Sequence, residues 1–103
     1  MIKKYQIKTH IKVKKFIETL NNVRKARIDR FYDLFEEYGT LLSSKYLKKI
    51  TKDVWELRPG DVRLFLTIRR KQAFVIHGIR KKNQKIPKKE LKLVVRRIKK
   101  EVD

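Results

Sequence analysis

A chain of 103 residues with 30 Lys or Arg against 11 Asp or Glu carries a formal charge of +19 at pH 7, and its length allows one domain with a modest core. A hydrophobic content of 41% excludes a disordered basic tail, and the absence of cysteine excludes a disulfide framework and cysteine-bound zinc. Charge this unbalanced works against a compact state and attracts polyanions: nucleic acid first, then an anionic membrane or an acidic protein.

Ile2 to Thr9 alternates loosely and predicts a short edge strand whose lysines blunt the edge. From Val13 the period becomes helical: Val13, Phe16, Ile17 and Leu20 share a face, and Asn21-Asn22 ends the run. Ile28, Phe31, Tyr32, Phe35 and Tyr38 form a second stripe, closed by Gly39 at the position that follows a helix. The two are expected to pair as a helical hairpin. TLLSSKYLKKITKD (40–53) reads as a connection anchored by Leu41, Leu42, Leu47 and Ile50.

The pattern then turns to strands. VWELR, the turn Pro59-Gly60-Asp61, VRLFLTI, a basic loop RRKQ, and AFVIHGI make an antiparallel meander, because the connections are too short for parallel crossovers. Pro87 opens a last helix, with Leu91, Val94, Val95 and Ile98 inward and Lys92, Arg96, Lys99 and Lys100 outward. The expected fold class is α+β: a small antiparallel sheet with an N-terminal helical hairpin and a C-terminal helix, all helices on one sheet face.

Strand alternation decides which side chains converge. Leu64, Leu66 and Ile68 oppose Arg63, Phe65 and Thr67, and Trp55 and Leu57 oppose Glu56 and Arg58. If the helices cover the apolar face, Arg58, Arg63 and Phe65 occupy an open face beside Arg80, Lys81 and Lys82. Arginine binds phosphate bidentately, lysine adds point charge, and an aromatic face stacks an unpaired base, so the surface suits RNA. Cleavage through the ribose 2′-OH needs a base, an acid and cations for the developing phosphorane charge. A lysine crowded by like charge qualifies as base. So by its chemistry does His77, although alternation groups it with Ala73, Val75 and Ile79, where a structural role is equally open. His10 and His77 have no ligand-like companions, so nothing in the sequence asks for a metal or cofactor. No run is long enough to span a membrane, and the N-terminal MIKKYQIKTH lacks an apolar signal core, so a cytoplasmic chain is expected.

The stretch from Val75 to Lys100 sets a dozen basic side chains, counting His77, against the single acid Glu90. The same region carries a motif. Trp55, Glu56, Leu57, Arg58, Arg63, Phe65, His77, Gly78, Lys81, Lys82, Lys85, Pro87 and Glu90 stand in an order and spacing that resemble the RelE/ParE superfamily of toxin–antitoxin toxins, in particular its HigB-type, phage-derived branch. The match covers about the C-terminal half of the chain. The resemblance implies a RelE-like domain that enters the ribosomal A site, cuts translated mRNA without a metal, and is silenced by an acidic antitoxin in whose complex the toxin is a monomer.

It also implies that Arg58, Arg63, Lys81 and Lys82 bind RNA and stabilise the transition state, with Lys85 nearby and Lys48 and Lys49 as further basic contacts. Three positions depart from the pattern. Ile86 replaces a capping Thr, Ile79 replaces a Phe, and no Tyr or His follows Lys82. The general base stays open among Lys81, Lys82, His77 and Tyr46. A ParE-like gyrase poison and a non-cleaving nucleic-acid or ribosome-binding protein are the alternatives.

Overall fold

A computed structural model describes residues 3–82 and 85–103. The chain runs β1 (Gln6–Thr9), α1 (Ile11–Glu18), α2 (Asn22–Tyr38), a 3-10 turn (Gly39–Leu41), β2 (Leu47–Thr51), β3 (Val54–Leu57), β4 (Val62–Arg69), β5 (Gln72–Arg80) and α3 (Lys88–Glu101). Caps fix the helix boundaries. His10 Nδ1 accepts the Lys12 amide at 3.1 Å to open α1, and Asn21 Oδ1 accepts the Arg24 amide at 2.9 Å to open α2. Gly39 ends α2 at φ 53°, and a Cβ there would collide with the Tyr5 ring at 1.9 Å, so both backbone and space demand glycine. Pro87 sits at the cap of α3, one residue before the expected place, and supplies no side-chain acceptor.

The strands form one sheet in the order β1-β5-β4-β3-β2. From β2 to β5 it is the antiparallel meander the turns predict, but β1 pairs parallel to β5, so the sheet is mixed rather than purely antiparallel. Two helices and three strands separate β1 from β5, ample chain for a parallel pairing. The expected strand over Ile2 to Thr9 contracts to Gln6–Thr9, with Ile2 outside the described residues. The supposed connection 40–53 contains a fifth strand, β2. Leu47 and Ile50, three residues apart, point to opposite faces and enter different cores, and an irregularity between Lys49 and Thr51 further blurs the period-2 signal.

The helix layout also departs from expectation. Helix α1 lies on β5, while α2 reaches β1 and the 3-10 turn, so the pair covers the sheet piecewise rather than as a self-packed hairpin. Both contribute to the larger core, where Val13, Ile28 and Phe35 meet Leu57, Leu64, Leu66 and Val75. Helix α3 covers the opposite face, where Val94 and Ile98 pack on Val54, Phe65 and Ile76. Covering both faces accounts for the complete burial of β4 from Val62 to Thr67. It also closes much of the face that was expected to be open.

Candidate nucleic-acid interface

What α3 leaves uncovered is the end of the sheet near the β3–β4 turn and the C-terminus of β5. Glu56, Arg58 and Arg63 share this face, as their alternation predicted. Arg63 is only 8% exposed. Its Nη1 donates to the carbonyls of Gly60 (2.7 Å) and Val62 (2.8 Å), which fixes the guanidinium at the sheet edge. Burial, and then the neighbouring Arg58 charge, hold its pKa below the ordinary arginine value, partly countered by Glu56 and Asp61. Arginine starts so high that the group stays charged. Glu56, itself 7% exposed, lies beneath both cations: its Oε1 is 3.2 Å from Arg58 Nε and 3.9 Å from Arg63 Nε. Arg58 Nη1 also donates to the Ser44 carbonyl at 3.1 Å.

The β3–β4 turn is braced from α2 and β5. Arg24 grips Asp61 with two hydrogen bonds of 2.9 and 2.7 Å, and Arg80 Nη2 donates to the same carboxylate at 3.2 Å. Arg24 above all, then Arg80, hold the Asp61 carboxyl far below the usual carboxylate range. The Lys81 amide donates to the Asp61 carbonyl at 2.6 Å, tying the start of the basic loop to this turn.

A cleft of about 320 Å³ opens between that loop and the start of α3. Glu56 and Arg63 form one side, Arg80, Lys81, Lys82 and Lys85 the rim, and Ile79, Ile86, Pro87 and Glu90 the remainder. Arg63, Arg80, Lys81, Lys82 and Lys85 are thus brought together. Arg58 stands on the far side of Arg63, in a second groove shared with Tyr46. Lys48 is exposed and sits opposite Glu56 in the β2–β3 register, on the face of Arg58 and Arg63. Lys49 belongs to the other face, with its Nζ 5.4 Å from the centre of the Trp55 ring.

Two expected roles are corrected. Phe65 is 0% exposed beneath α3, so it offers no free ring to a base. His77 does not share a face with Ala73 and Val75. The β4–β5 register shifts after Phe65, leaving Ile76 as the extra residue of a bulge and placing His77 opposite Phe65. There its ring stacks on Phe65 (centroids 6.1 Å apart, planes 25°) and its Nε2 lies 2.5 Å from Glu90 Oε2. His77 thereby fastens α3 to the sheet and does not line the cleft.

The second groove, about 530 Å³, adds residues that sequence reasoning missed: Arg27 and Arg30 of α2, with Lys45. Arg24, Arg27 and Arg30 recur every third residue, a spacing that brings successive side chains to neighbouring positions on one side of a helix. That was the available signal. Among the described residues no cluster of three or more His, Cys, Asp or Glu is placed to hold a metal ion, and no helix is long and apolar enough to cross a membrane.

A five-stranded α+β domain with a cation-rimmed cleft at one sheet end is therefore the class that fold and site define. The family model of the phage-derived Gp49-like proteins matches residues 15–99, and the chain belongs to that family. Its fold is similar to that of a chain in the crystal structure of the archaeal RelE–RelB complex from Pyrococcus horikoshii OT3, with a TM-score of 0.68 and 23% identity over 78% of this chain and 98% of that one. No curated protein matched the sequence.

Proposed function

We propose that this chain is the toxin of a type II toxin–antitoxin pair, of the HigB-type branch, and acts as an endoribonuclease on translated mRNA in the ribosomal A site. The observation that carries the reading is Arg63, a buried guanidinium fixed by main-chain carbonyls on the wall of a cleft whose rim is Arg80, Lys81, Lys82 and Lys85. Such preorganised cations suit a phosphodiester whose charge grows in the transition state. Membership of the Gp49-like family and the RelE-like fold support it.

In the proposed reaction the ribose 2′-oxygen attacks the adjacent phosphorus and the 5′-oxygen of the next nucleotide leaves, giving a 2′,3′-cyclic phosphate and a 5′-hydroxyl. A base takes the 2′ proton and an acid returns one to the leaving oxygen, so the protons balance. Arg63 and the loop lysines neutralise the phosphorane oxygens. Of the four candidate bases, Lys81 and Lys82 line the cleft, whereas His77 is held by Glu90 and Tyr46 lies in the second groove. Positioning of the mRNA by the ribosome supplies much of the remaining acceleration. The partner that silences the site is an acidic antitoxin, for which the RelE–RelB pairing of the similar structure is the precedent.

The test is primer extension on a reporter mRNA in a purified translation system, with wild type and Arg63→Ala in parallel. Cuts inside translated codons are expected for wild type, and they disappear in the variant or when ribosomes are omitted. Intact mRNA with both proteins would overturn the reading and direct attention to a DNA-supercoiling assay for gyrase poisoning. In cells, Lys81→Ala/Lys82→Ala, which removes two rim cations and leaves the buried Glu56–Arg63 pair in place, is expected to abolish growth arrest while the protein stays folded.

A further inference from the structure

The second groove is not needed by the cleft chemistry, yet it is built from the same materials. Arg27, Arg30, Lys45, Arg58 and Arg63 line it with Phe31 and Tyr46, and no carboxylate joins them. Among the described residues no carboxylate lies within 4 Å of Arg27, Arg30 or Lys45, whereas Arg24, one turn earlier on α2, is neutralised by Asp61. The Arg27 guanidinium rests on the β3–β4 turn: a Cβ at Gly60 would stand 2.3 Å from its Nη1, and at φ 64° the position favours glycine in any case. Arg58 Nε is buried without a hydrogen-bond partner, because its approach to Glu56 is an ion pair outside hydrogen-bond geometry. Phe31 and Tyr46 pack at 5.4 Å between ring centres and make one wall aromatic. Arg63 belongs to both openings, so the groove continues the cleft across a single guanidinium.

We propose that this groove binds the neighbouring nucleotide of the same single RNA strand, with Arg30 and Lys45 on its phosphate and Tyr46 against its base. The proposal rests on the RNA reading of the cleft and extends it to a second subsite. Guanidinium groups beside an aromatic wall are the usual means of holding unpaired nucleotides with little sequence preference. An acidic protein segment would satisfy the charges and leave the aromatic wall unused.

The test is fluorescence anisotropy with a labelled, unstructured oligouridylate across a salt series, using wild type, Arg30→Ala/Lys45→Ala, Tyr46→Ala, Tyr46→Phe and Arg63→Ala. The double variant is expected to bind at least about tenfold more weakly at low salt, with its salt slope smaller by about 0.7, the share of the one phosphate that is no longer neutralised. Tyr46→Ala is expected to lose about tenfold while Tyr46→Phe retains affinity. If wild type binds and Arg63→Ala does not, but the double variant keeps the wild-type affinity and slope, the second subsite is refuted and the cleft reading stands. No binding by wild type would overturn the second subsite and leave the ribosome-dependent reading to the primer-extension test. Poly-glutamate binding tighter than an oligonucleotide of equal charge would make the groove a protein-docking surface and overturn the proposal.

Discussion

Removing the Glu56 charge while keeping its shape, as in Glu56→Gln, tests whether the carboxylate is what allows two arginines to share one sheet end. At an effective dielectric of about 20, separations of 3.2 and 3.9 Å correspond to gross attractions of roughly 5 and 4 kcal/mol. The net loss is smaller, because ionised Glu56 already carries a desolvation cost and Arg58 is a quarter exposed. Breaking a buried pair from one side generally costs about 3–5 kcal/mol, and with that discount we expect about 2–4 kcal/mol. Urea unfolding followed by the fluorescence of Trp55, the single tryptophan, reads this directly. With a urea slope of about 1.5 kcal/mol per molar, the midpoint falls by about 1–3 M. Arg63→Met should cost less in the Glu56→Gln background than in wild type, the sign of a coupled pair. Added phosphate should stabilise the variant more than wild type, as an external anion takes over the role of the carboxylate. An unchanged midpoint, or additive costs in the cycle, would show that Glu56 does not hold the arginines.

Three further outcomes follow from the packing. Burial pushes the Tyr32 pKa up to about 12, against the opposing hydrogen bond it shares with Thr9 at 2.9 Å and with a small contribution from Asp29. Its folded pKa thus lies above the unfolded value of about 10. The associated stability, up to roughly 2–3 kcal/mol, is complete below pH ~10 and is lost as pH rises toward ~12. Tyr32→Phe should therefore lose less stability than wild type between those limits in denaturant melts, and identical alkaline limbs would refute the assignment. Phe65→Leu should cost under about 1.5 kcal/mol and leave RNA affinity unchanged, since the ring is sealed beneath α3; a folded variant that no longer binds RNA would show the ring to be reachable. Arg69 clamps Asp53 (2.8 and 3.0 Å) and Asp103 (2.8 Å), and holds the Asp53 carboxyl below its ordinary value. Arg69→Ala should cost about 1 kcal/mol or less for each exposed pair and speed amide exchange in the last turn of α3. The Asp53 share is present at neutral pH and fades as the carboxylate protonates in acid; a wild-type exchange pattern would refute the clamp.

The helix and strand types and the basic character of the site follow from local chemistry that can be read along the chain. The apolar stripe from Ile28 to Phe35, the Pro59-Gly60-Asp61 turn and the alternation of VRLFLTI each act over a few residues, and each appears in the fold, whereas Tyr38 at the end of the expected stripe is exposed. Arg63 fell on the expected face because β4 keeps its period from Val62 to Ile68. What the sequence could not decide was parity and partnership between distant segments. One extra residue at Ile76 turned His77 from the α1–α2 face to α3. β1 found a parallel partner more than sixty positions away. Helix α3, whose stripe suits either face, closed over Phe65 and left the cleft only where the sheet runs past it. The charge on Arg27 and Arg30 was always legible, but their place beside Arg58 and Arg63 was not. Composition fixes how much charge a chain carries, while only the packing of α2 against the β3–β4 turn brings those charges to one wall.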